Sequence, residues 1–175
     1  PVRVAIDAGG KSTQGGWLRG RVSPGTRSLM LDDKPVAFAA DGKFVIAFDR
    51  DAGPAAQLVA IHTNGSSFAM QLSISPRAWK IEHINAARRP GGITDENYAR
   101  LRKAELARIS AARKIETGAQ GWRQDFIRPA PGRFSGRFGS QRVYRGQPGA
   151  YHSGLDIAGG ANTPFVAPAD GVVIL

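Results

Sequence analysis

No cysteine occurs among the 175 residues, which excludes disulfide scaffolds, thiolate zinc fingers and cysteine nucleophiles. A chain without thiols suits an oxidising periplasm or wall but does not require one. Long apolar runs are missing too: no stretch approaches the roughly 20 residues of a membrane-spanning helix. The residues after Pro1 lack the basic start and apolar middle of a signal peptide, so any targeting segment is expected to be absent already. Acidic residues are few, 14 against 24 Lys plus Arg, for a formal net charge of +10. That excess attracts a polyanion, whether nucleic acid, anionic lipid or an acidic wall polymer, without choosing among them. No helix-turn-helix, zinc-finger or aromatic RNA-binding pattern accompanies the charge, so nucleic acid is not the expected partner.

Turn-forming residues are plentiful. With 22 Gly and 11 Pro a helical bundle is excluded and a mainly β fold is expected. From Val2 to Ile84, turn signals at Pro24-Gly25, Asp32-Asp33, Asp41-Gly42, Gly53-Pro54 and Asn64-Gly65 separate short runs at sandwich or barrel spacing. Phe44, Ile46 and Phe48 share one face of a half-buried strand at period two. Phe68, Met70, Leu72 and Ile74 do the same against Gln71, Ser73 and Ser75, which predicts the core of an N-terminal β-sandwich over residues 1–85.

Residues 86–120 read as linker and helix. Arg88-Arg89-Pro90-Gly91-Gly92 stops any regular element. Thr94 is the expected N-cap, with Asp95 and Glu96 where negative charge suits the helix dipole. The helix is expected to reach about Thr117 and stop at Gly118, with Arg113 and Lys114 in its last turn. Tyr98, Leu101, Leu106, Ile109, Ala112 and Ile115 share a broad face, expected to pack against a neighbouring domain. Beyond Gly121, strand-like runs at 125–128, 165–167 and 172–175 predict a second, antiparallel β domain over residues 121–175. The last run has no return strand, so that domain is expected to be cut in its middle.

Several stretches invite a chemical reading. Ala5 to Thr13 is similar to a phosphate-cradling loop, but Ala5 stands where the first glycine is needed. The following Gln-Gly-Gly-Trp cannot open the required helix, so a surface turn is expected. Asn64-Gly65-Ser66 fits a glycosylation sequon or a hairpin turn. His62 and His83 have no ligand-like companions and read as surface or hydrogen-bonded histidines. His152 and Asp156, four apart, have the right donor types for one Zn²⁺. On a straight strand they would stand roughly 13 Å apart, so the chain must bend, and Gly154 is the residue that permits it. The spacing alone leaves a structural histidine as the alternative.

The surroundings of this pair carry more information. Ser135-Gly136-Arg137-Phe138-Gly139, then His152-Ser153-Gly154-Leu155-Asp156-Ile157-Ala158, then Thr163-Pro164-Phe165-Val166-Ala167-Pro168-Ala169-Asp170-Gly171-Val172 follow in that order. As a set they resemble the opening half of the lysostaphin-like zinc metalloendopeptidases, which hydrolyse bacterial peptidoglycan. The resemblance spans about residues 128–175, and a β domain plus helix ahead of it is similar to the layout of periplasmic members. It implies zinc held by His152, Asp156 and a further histidine, with a water in the fourth position whose pKa the metal lowers towards about 7. In the family the third ligand and a proton-accepting histidine come from an H-x-H motif, which this sequence does not contain. The chain alone is therefore expected to bind zinc weakly and to be inactive. The missing half would lie beyond Leu175 or on a separate polypeptide that completes the sheet.

The implied function is zinc-dependent cleavage of peptide cross-links in peptidoglycan, in the periplasm or outside the cell. The alternative is a non-catalytic wall-binding or hydrolase-activating protein. Relatives of that kind usually lack the ligands that His152 and Asp156 match. Arg133, Arg137, Arg142 and Arg145 lie on the motif-bearing segment and read either as contacts to an anionic wall or as solvated surface.

Overall fold

Where apolar and polar residues alternate, the chain forms strands whose apolar faces meet. The computed structural model describes residues 2–6, 10–88 and 94–175. It divides into two compact units, Pro1–Trp79 and Lys80–Leu175. The first unit contains β1 (Val4–Ile6), β2 (Trp17–Val22), β3 (Thr26–Leu31), β4 (Lys34–Pro35), β5 (Lys43–Ala47), β6 (Ala55–His62) and β7 (Ser67–Ser73). One antiparallel sheet has the order β1-β2-β5 and the other β4-β3-β6-β7.

Side chains from both sheets share one core. Phe44 and Leu58 are wholly buried, and Val22, Leu29, Ile46, Phe48, Ala60, Leu72 and Ile74 close around them, with Phe68 and Met70 at the margin. Both alternating runs therefore face inward, as a sandwich requires. All five turn signals fall between strands. At the β6–β7 hairpin, Gly65 has φ +85, and Asn64 Oδ1 accepts hydrogen bonds from the Ser66 N–H and hydroxyl, so Asn64-Gly65-Ser66 is the hairpin turn. The stretch similar to a phosphate loop leads into strand β2 and not into a helix, and its residues 7–9 lie outside the described residues.

The second unit contains β8 (Ile81–Ile84), α1 (Asp95–Ala112), a 3-10 turn at Gly121–Arg123, then β9 (Arg133–Gly136), β10 (Gln141–Tyr144), β11 (Gln147–Tyr151) and β12 (Asp156–Ala158). β9 and β12 pair antiparallel, as do β10 and β11, while β8 adds to β10 in parallel. The expected boundary at residue 85 and the observed division after Trp79 differ by β8, whose ladder partner is β10. Among the described residues no helix is long and apolar enough to cross a membrane.

The helix begins as expected: the Thr94 hydroxyl accepts from the Asn97 N–H. It ends at Ala112, short of Thr117, and Arg113 and Lys114 lie past its end. The N–H groups of Lys114 and Ile115 bond carbonyls three residues back, which tightens the last turn and stops propagation. Its apolar face is not packed as expected. Leu101, Leu106 and Ile115 are exposed and only Ala112 is buried, because Arg102, Glu105 and Arg108 fall within the same arc and interrupt the stripe. The break expected at 88–92 lies, except for Arg88, outside the described residues.

The strand-like runs at 125–128, 165–167 and 172–175 do not form strands. The first two meet through Ile127 N–H to Pro168 O and Val166 N–H to Pro129 O. Prolines 129, 131, 164 and 168 remove the donors that would extend those bonds into a ladder.

Candidate metal centre

The β10–β11 hairpin turns at Arg145-Gly146, where φ is +48 and +84, the two positive values that a tight primed turn needs. That hairpin sets Tyr151 opposite Gln141, and the Tyr151 ring meets Phe138 edge-on at 5.8 Å. His152 follows immediately. Its N–H donates to Ser140 O at 2.7 Å and its carbonyl accepts from Gly139 N–H at 2.8 Å, so its main chain is fixed from both sides.

The chain then bends at Gly154 and enters β12. Gly154 is not in the left-handed region, and a Cβ there would meet nothing within 4 Å, so the bend does not require glycine. Register does the work assigned to it. Asp156 stands opposite Gly136 while Ile157 stands opposite Phe134, so Ser135 is an extra residue in β9. Such a bulge re-aims the side chains beside it.

The outcome is that His152 Nε2 and Asp156 Oδ1 lie 3.3 Å apart. The imidazole nitrogen is buried and makes no hydrogen bond among the described residues. Two donors each about 2.0–2.2 Å from a tetrahedral zinc stand about 3.4 Å apart. A buried, unsatisfied nitrogen at that separation from a carboxylate oxygen fits a shared cation, and both groups have the right donor chemistry. Among the described residues no third His, Cys, Asp or Glu joins them.

The other candidates do other things. His62 Nε2 is 3.2 Å from Pro24 O, and its Nδ1 accepts from Asn64 N–H, so it ties two turns of the first unit together. His83 lies in β8 opposite Val143. Arg142 pairs with Glu82 across β10 and β8, and Arg137 lies over the Phe134 ring at 5.3 Å. Hydrogen bonding and charge from Lys80, then Arg142, hold the Glu82 carboxyl below the usual carboxylate range.

Gly136, opposite Asp156, is the residue of this site that its own chemistry does not announce. Its only signal is its place in the Ser135-Gly136-Arg137-Phe138-Gly139 run. In comparisons with protein-family models and with curated proteins, nothing matches the chain.

Proposed function

We propose that this chain carries two of the protein ligands of a zinc centre that cleaves peptide cross-links in bacterial peptidoglycan, in the cell envelope. The observation that carries the reading is the convergence of His152 Nε2 and Asp156 Oδ1 at 3.3 Å. The ordered motif set between Ser135 and Val172 supports it, and the +10 charge suits a substrate layer rich in carboxylates and phosphates.

In this reading His152 supplies a neutral imidazole nitrogen and Asp156 a carboxylate oxygen. The two main-chain bonds at Gly139 and Ser140 fix the backbone from which the imidazole projects. The β9 bulge holds the carboxylate against it. Bound zinc would polarise the scissile carbonyl and activate water. Two ligands make a weak centre, and a third from an H-x-H strand completes it.

Zinc titration of the purified chain tests the metal claim. The expected result is weak binding that moves the His152 imidazole resonances and vanishes in H152A. Tight stoichiometric binding by these 175 residues, or equal movement of His62 and His83, contradicts the two-ligand centre. The activity claim is tested on purified peptidoglycan. Together with a polypeptide that supplies the H-x-H strand, the chain is expected to release cleaved cross-linked peptides, and H152A and D156A are not.

A further inference from the structure

We infer that Gly136 is a positioning residue for the cation. Its missing side chain keeps open the space in which the His152 imidazole and the Asp156 carboxylate meet, and a methyl group there closes it. The inference rests on the zinc reading above.

A Cβ built on Gly136 would stand 2.5 Å from Asp156 Oδ2, 3.0 Å from Asp156 Cγ and 3.1 Å from His152 Nε2. These nearest atoms all belong to the two ligands, and none is backbone. At such distances something must move, and the surroundings decide what. His152 is held by main-chain hydrogen bonds on both sides, and its side chain is 34% exposed. The Asp156 side chain is 61% exposed, so it has solvent to turn into. The carboxylate therefore swings out, the 3.3 Å approach is lost, and the fold is spared.

The backbone itself makes no demand for glycine here. Gly136 is not among the glycines with positive φ, so alanine fits its main-chain conformation without strain. The closest contacts that demand an absent side chain come from the two ligands. Gly154 is the natural contrast. It sits between the same ligands in sequence, yet a Cβ there reaches nothing within 4 Å.

The test titrates zinc into the ¹³C-labelled chain up to millimolar concentration and follows the imidazole resonances of His62, His83 and His152. In the wild type His152 is expected to shift while the other two stay. G136A is expected to need about tenfold more zinc or greater for the same shift, the size of effect typical for a group that orients a ligand. G154A is expected to titrate as wild type does. A wild-type midpoint in G136A overturns the inference, and so does an equal loss in G154A. If G136A also loses stability, the double variant G136A/D156A is expected to recover it, because two of the three crowded atoms are gone. No recovery in that case overturns the inference as well. Failure of the underlying zinc reading has a different signature: His152 then moves no more than His62 and His83 in the wild-type chain.

Discussion

Phe44 is wholly buried, and its ring lies against Gly20, where a Cβ would come 2.6 Å from Phe44 Cζ and 2.5 Å from Ala5 O. Phe44→Ala removes that ring from a close-packed core and is expected to destabilise the first unit by about 3–5 kcal/mol, read from urea denaturation. Phe44 was legible in the sequence because strand alternation is a local rule: Ile46 and Phe48 point the same way two and four residues on. His152 and Asp156 were legible only through the motifs around them. Their spacing on a straight strand gives roughly 13 Å, and the observed approach is 3.3 Å. The approach depends on side-chain reach, on the bend at Gly154 and on an extra residue at Ser135 in another strand. Gly136 was illegible for the same reason, since the atoms it would collide with come from positions 16 and 20 residues away.

Helix α1 shows how far local signals reach. Thr94 caps it, so Thr94→Ala is expected to cost about 1 kcal/mol of helix stability, measured by circular dichroism during thermal melting. Arg102 donates from Nε and Nη2 to the two oxygens of Glu105. That hydrogen bonding, then the guanidinium charge, lowers the Glu105 pKa below its ordinary 4.5. A depressed folded pKa stabilises the helix above the unfolded value, and the contribution is lost as pH falls through the folded one. Helicity is therefore expected to decline on acidification below about pH 4.5. In Glu105→Gln it is expected to start lower at neutral pH and to lose less in acid. The start of the helix could be read from Thr94, Asp95 and Glu96 because capping is a matter of adjacent residues. Its end could not. Gly118 has the left-handed φ of +69 that a C′ residue takes, but the helix had already closed at Ala112, where the N–H groups of Lys114 and Ile115 turn to carbonyls three residues back. Parallel pairing of β8 with β10 was equally hidden, since Ile81–Ile84 and Gln141–Tyr144 lie far apart in sequence and no local rule joins them.

Across the whole molecule, burial is uneven. Among the described residues, thirteen of the fourteen buried hydrophobic ones belong to the first unit; Ala112 is the exception. In the second unit Phe126, Ile127, Phe165, Val166, Val172 and Val173 are more than half exposed. The sequence suggested a break in rhythm near residue 90, whereas the division into two units falls after Trp79. It did not show this imbalance, because apolar content says nothing about whether a partner surface meets it. Few buried apolar contacts mean low local stability, and hydrogen exchange reads local stability residue by residue. Amides of β5, β6 and β7 are expected to exchange at rates set by global unfolding of the first unit, and those of β9 and β12 much faster. Leu58→Ala, which opens a cavity at a fully buried position between the two sheets, is expected to accelerate exchange throughout β2, β3, β5, β6 and β7 together. Exchange in β9–β12 should stay as it was if the two units hold their structure independently. Coordinated acceleration of both sets would show instead that the second unit draws its stability from the core of the first.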